Sequence, residues 1–136
     1  RVRENCKMKA RGATALLTAA LLAVAAGSCG GKKASTPTEL FKAFYTAAKN
    51  RDADSLKSTM SRASLAYAES EAKKRGQSVD EFLAAQGQYF PPNMPEIRNE
   101  KIEGDKATLE FKREGAANWS TARFVKEDGE WKVSLN

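Results

Sequence analysis

The hydrophobic period of this chain changes once, at a proline cluster, and that change limits what it can fold into. Before Pro91, Pro92 and Pro95 the apolar residues recur at helical spacing, and after them they alternate. The prolines themselves end helical structure, since each lacks an N–H and fixes φ. Helices first, then an antiparallel meander with short turns, is an α+β arrangement.

The helical half divides at its capping residues. Thr36-Pro37-Thr38-Glu39 predicts a helix start, with Thr36 as cap, Pro37 in the first turn and Glu39 at the capping-box position. Leu40, Phe41, Phe44, Tyr45 and Ala48 then form one stripe, and the helix should end near Asn50. Asp52 predicts the cap of a short second helix with Leu56 and Met60 inward. A third helix is expected from about Arg62 to Arg75, with Leu65, Ala68 and Ala72 on one face and Gly76 as its stop. Ser78-Val79-Asp80-Glu81 is a second capping box, opening a helix with Val79, Phe82 and Leu83 inward.

In the strand half, Ile97 to Ile102 predicts a first strand and Glu103-Gly104-Asp105 a turn. Ala107, Leu109 and Phe111 alternate with Thr108, Glu110 and Lys112, giving one dry and one wet face. Gly115 to Asn118 is a longer turn, and Trp119 to Lys126 a third strand. Asp128-Gly129 is a tight hairpin signal. Trp131, Val133 and Leu135 then share one side of a fourth strand.

The amino-terminal part concerns location. Met8 to Arg11 is basic, Ala13 to Ala26 is an uncharged run of Ala, Leu, Val and Thr, and Ala26-Gly27-Ser28 precedes Cys29. Basic start, apolar run and small residues are the order of a secretory signal peptide. The run is short for a bilayer span, which needs about 20 residues. A cysteine directly after the cut resembles the lipobox of bacterial lipoproteins, in which the thiol is acylated and anchors the new N-terminus. Ala26 departs from that pattern, which usually has Leu there. Simple secretion by ordinary signal peptidase is the alternative. The expected organisation is an upstream extension at 1–7, a signal peptide at 8–28, a tether at 29–35 and one domain at 36–136. The tether is small and polar, as flexible linkers are.

Composition narrows the chemistry. The net charge of +6 misleads, because residues 1–28 carry five Lys or Arg against one Glu. From Pro37 to Asn136 there are sixteen basic and sixteen acidic side chains, interspersed. Nucleic-acid binding needs a concentrated basic surface, so no nucleic-acid partner is expected. Lys73-Lys74-Arg75 falls at a helix end, where it complements the dipole. Cys29 is the only cysteine after the expected cut, so no internal disulfide is expected. The sequence holds no histidine. That removes Ser-His-Asp and Cys-His nucleophilic sites and histidine-containing metal sites. No phosphate loop and no calcium-loop pattern appears, and no metal or cofactor is expected.

Three stretches carry a resemblance. The helical start at Thr36 to Asp54, the segment Glu103 to Leu109 and the closing hairpin Val125 to Val133 resemble small bacterial domains related to nuclear transport factor 2. More narrowly, the layout resembles an uncharacterised family of bacterial lipoproteins with that fold. The resemblance covers about Thr36 to Asn136, and its motifs are structural. It implies N-terminal helices packed in a curved four-stranded antiparallel sheet, a cone that in relatives often holds a pocket. Some relatives are isomerases, dehydratases or hydrolases, and others bind ligands, dimerise or dock to proteins. Fold does not choose among these.

Candidate site residues follow from elimination. Asp52, Asp54 and Asp80 read as helix-start residues, Asp105 and Asp128 as turn residues, Glu69, Glu71 and Glu110 as solvated, and Glu100 is ambiguous in facing. Aromatics remain: Phe41, Phe44, Tyr45, Phe82, Tyr89, Phe90, Phe111, Trp119, Phe124 and Trp131 could line a pocket or fill the core, and Tyr45, Phe82, Tyr89 and Trp119 are the candidate pocket lining. Tyr45 and Tyr89 each bring a hydroxyl that needs a partner if buried. The expectation is an exported, cell-envelope lipoprotein anchored through Cys29. Its non-catalytic domain would bind a small apolar ligand or an envelope protein, or form a homodimer. If the host has two membranes, Gly30 favours the outer one. The alternative is a carboxylate–tyrosine isomerase or hydrolase, which needs an Asp or Glu beside Tyr45 or Tyr89.

Overall fold

The computed structural model describes residues 33–135, so the extension, signal peptide, Cys29 and most of the tether lie outside the described residues. Four helices come first: α1 Pro37–Lys49, α2 Ala53–Thr59, α3 Arg62–Lys74 and α4 Val79–Gln86, followed by a 3-10 turn at Gly87–Tyr89. Strands β1 Glu96–Glu103, β2 Lys106–Lys112, β3 Ser120–Glu127 and β4 Glu130–Ser134 then form one antiparallel sheet in chain order. The fold is α+β, with the helices packed against the sheet. The sheet is not strongly curled.

Each helix begins where a short polar side chain meets otherwise unpaired N–H groups. Thr36 Oγ1 accepts from Glu39 N at 3.1 Å, Asp52 Oδ1 from Ser55 N at 3.0 Å and Ser61 Oγ from Ser64 N at 3.1 Å. At α4 the capping box is complete, with Glu81 reaching back to Ser78 N. At α1 the Glu39 carboxylate reaches one residue further, to the N–H and hydroxyl of Ser35. Gly76 ends α3 at φ +65°, a conformation that costs a residue with Cβ. Lys73 and Lys74 occupy its last turn, where cations meet free carbonyls.

The core has two parts that meet at α1. Leu40, Phe41, Ala107, Leu109, Phe124, Trp131 and Val133 fill the space between α1 and the sheet. Ala47, Ala48, Leu56, Met60, Ala68 and Leu83 join the helices, and Phe44 packs against both parts. Leu109 is fully buried, and such burial stabilises by about 1.5–3 kcal/mol.

Several details differ from the sequence expectation. Leu135 is 53% exposed instead of sharing the inner side with Trp131 and Val133, because β4 ends at Ser134. In α3 Ala68 and Ala72 are buried as expected, but Ser64 is buried with them and Leu65 is only half-buried. Ser64 Oγ accepts from Leu135 N at 2.8 Å and from the Ser61 hydroxyl at 2.8 Å, so this polar pair fastens α3 to the end of β4. In β1 the pairing runs Arg98 with Glu110 and then Lys101 with Thr108, so one extra residue forms a bulge, with Asn99 at φ 53°. The bulge sets Ile97 and Ile102 on the same side, opposite Phe111 and Ala107.

Candidate functional site

Two concave regions flank α1 on opposite faces. Positions 41, 44 and 45 point one way at 3.6 residues per turn, and positions 43, 46, 47 and 50 point the other. The first face closes a cavity of about 280 Å³ against β2, β3 and the end of β4. The second face lines an open groove of about 860 Å³ beside α2 and the β3–β4 hairpin.

The cavity is built from rings. Phe41 stacks at 5.2 Å on Phe111, and Phe90 meets Phe44 at 5.9 Å and Tyr45 at 5.4 Å, both edge-on. Ala122, Val133 and Leu135 complete the apolar lining. Phe90 reaches α1 because Gly87 lets the chain pass close beneath it, where a Cβ would collide with the Ala48 carbonyl oxygen. The Tyr45 hydroxyl donates to the backbone carbonyls of Pro91 and Asn93, the latter at 2.8 Å. It thereby fixes the loop that leads from helices to sheet. Burial pushes the Tyr45 phenol above its ordinary pKa, and the nearby Arg113 charge pulls it partly back.

Two arginines border this cavity. Arg113 directly follows β2, lines the cavity and lies near enough to Tyr45 for its charge to act on the phenol. Thr121 and Arg123 alternate with Ala122 and Phe124, so their side chains leave on the far face of the sheet. Arg113 is exposed and has no ion-pair partner among the described residues. The adjoining Glu114 accepts from the Asn93 amide at 2.7 Å. No carboxylate lines the cavity among the described residues.

The groove has more polar residues in its lining, and most of them hold one another or the backbone. Glu130 pairs with Lys33 and, at 3.3 Å, with Lys132, whose ammonium also donates to the Ser58 carbonyl at 2.8 Å. Asp52 is occupied by capping, and the Ser55 hydroxyl and N–H hold its carboxyl below the ordinary range. Ser58 and Thr59 hydroxyls donate to carbonyls within α2.

Of the four candidate lining residues, Tyr45 lies in the cavity. Phe82 is half-buried in α4 beneath the Arg75 guanidinium at 5.2 Å. Tyr89 is 65% exposed. Trp119 lies under Arg98 at 3.7 Å, before β3 begins. The structure therefore does not gather the four at one place. Around Tyr45 gather the rings of Phe41, Phe44, Phe90 and Phe111, which the sequence left open between pocket and core, together with Arg113 and Ala122, which sequence reasoning passed over. Arg113 carried no firm signal, because β2 ends at Lys112 and the alternation does not carry past a strand end.

Several carboxylates away from the cavity have structural partners. Glu100, of ambiguous facing in the sequence, accepts from Thr38 N at 2.8 Å and the Thr38 hydroxyl at 2.6 Å, joining β1 to the start of α1. Glu110 accepts from Arg98 and Asn99, each at 2.7 Å, and these two bonds hold its carboxyl below the ordinary range. Lys57 bridges Asp80 at 2.7 Å and Asp54 at 2.9 Å, and these two carboxylates raise its pKa. Among the described residues no cluster of three or more acidic, Cys or His side chains could hold a metal ion. No helix of the described residues is long and apolar enough to cross a membrane. Comparison with protein families, with curated proteins and with solved structures finds no match.

Proposed function

We propose that this chain is an exported, lipid-anchored protein of the cell envelope whose domain binds a small apolar ligand without transforming it. The observation that carries the binding half is the ring-lined cavity under α1, which has no carboxylate in its lining among the described residues. An acid–base mechanism of the isomerase kind needs such a group within hydrogen-bond reach of the substrate. The Tyr45 hydroxyl supports the same reading, because its proton already serves two backbone carbonyls. The sequence pattern ending at Cys29 supports the anchor. We read the helix-then-meander order as a flattened variant of the cone of nuclear transport factor 2-like domains.

Mass spectrometry of the protein taken from host membranes tests both halves. Under denaturing conditions the expected mass is the chain from Cys29 plus acyl groups. Under native conditions a further non-covalent mass is expected on a fraction of the molecules. A chain that still begins at or before Met8 would sink the export reading. A native spectrum that stays bare when apolar compounds are supplied would sink the binding reading.

A further inference from the structure

Resting on the binding-domain reading above, we infer that the cavity under α1 takes a small amphipathic carboxylate, with its apolar body against the rings and its carboxylate at Arg113. Size sets the first limit. At about 280 Å³ the cavity lies at the lower end of ligand sites, which run from about 300 to 1,000 Å³, so the occupant is small. Lining sets the second. Phe41, Phe44, Phe90 and Phe111 offer ring faces and edges to an aliphatic or aryl body, and no described lining group repels an anion.

Charge sets the third limit. In the groove, Lys33 and Lys132 are matched with Glu130. Arg113 lines the cavity without such a partner among the described residues, while the carboxylate next to it in sequence is held by Asn93. Lys49 reaches the same loop, but its ammonium donates to the Pro92 carbonyl at 2.7 Å. One guanidinium suits one carboxylate, because its planar fork matches the two oxygens. A phosphate dianion would bring more charge than one cation at this mouth balances. A neutral or cationic ligand of the same shape would leave Arg113 as it is.

Calorimetric titration of the full chain with octanoate, octanol and octylammonium separates the terms. Octanoate is expected to bind about fivefold more tightly than octanol, the scale of one solvent-accessible ion pair, with octylammonium weakest. Arg113→Gln should erase the preference and leave octanol affinity unchanged. That substitution is at an exposed side chain, so an unchanged melting temperature shows that the fold is intact. Lys112→Gln, one residue away on the opposite face, should keep the preference. Equal affinity for octanoate and octanol in the unmodified chain would overturn the carboxylate inference and leave the apolar cavity standing. A preference that survives Arg113→Gln, or that is lost with Lys112→Gln, would also overturn it. Failure of all three compounds to bind would overturn the binding-domain reading with it.

Discussion

The two faces of α1 show why size and polarity are poor guides to a binding site. The groove beside Ala43, Thr46 and Asn50 is the larger and carries most of the polar groups. Most of those groups are helix caps and ion pairs: Glu39 holds Ser35, Asp52 holds Ser55, and Glu130 holds Lys33 and Lys132. The opposite cavity is about a third of that volume and is lined chiefly by rings, and it adjoins Arg113, which has no ion-pair partner among the described residues. Unmet chemical capacity, not abundance of donors and acceptors, marks the side on which a ligand gains something that the fold has not already supplied.

Substitutions can break or sharpen this contrast. The largest effect is expected at the floor common to the whole core. Leu109→Ala should cost about 2–5 kcal/mol in urea unfolding, through lost burial and a residual void. A cost under about 1 kcal/mol would mean that α1 does not depend on the sheet beneath it. Gly87→Ala comes next, at about 1–3 kcal/mol, because the added methyl collides with the Ala48 carbonyl and something must shift. The same shift moves Phe90, so octanoate affinity should fall as well. Unchanged affinity would show that Phe90 is not needed as a wall of the cavity.

Tyr45→Phe should cost about 1 kcal/mol for the lost hydroxyl donation. It should also change the alkaline limb of the stability curve. Burial raises the phenol's pKa in the folded state, so the unfolded chain releases that proton first. The contribution is therefore complete below about pH 10 and is lost as pH rises through the folded value. Urea midpoints measured across that range should fall less steeply in Tyr45→Phe than in the unmodified chain. The smallest effect belongs to the groove. Lys42→Glu is exposed, and its stability change should stay within about 0.5 kcal/mol. It should leave octanoate affinity unchanged, since the helix separates it from the cavity by roughly a screening length of about 8–10 Å.

The architecture was legible in the sequence because local signals agreed there. Thr36, Asp52 and Ser78 cap where their spacing said they would, and Ala107, Leu109 and Asp128-Gly129 lie where the alternation and turn signals placed them. What stayed hidden depends on non-local contact. Glu100 could not be oriented because the bulge at Asn99 breaks the two-residue period, and its partner Thr38 is 62 residues away. Nothing in the sequence analysis singled out Ser61 or Ser64, and only the end of β4 folding over them makes them buried. The candidate site was the least legible part. Phe82, Tyr89 and Trp119 are aromatic like Tyr45, but composition does not say which rings converge. That convergence depends on the Gly87 crossing and on β4 stopping at Ser134.

The contrast between the two faces is tested most directly by mapping backbone amide chemical shifts of the full chain as octanoate is added. Movement is expected for Phe41, Tyr45, Phe111, Arg113 and Ala122, with Thr46, Ser58 and Lys132 still. Shifts concentrated at Thr46, Ser58 and Lys132 would place the ligand in the groove and contradict the assignment of the cavity as the binding side.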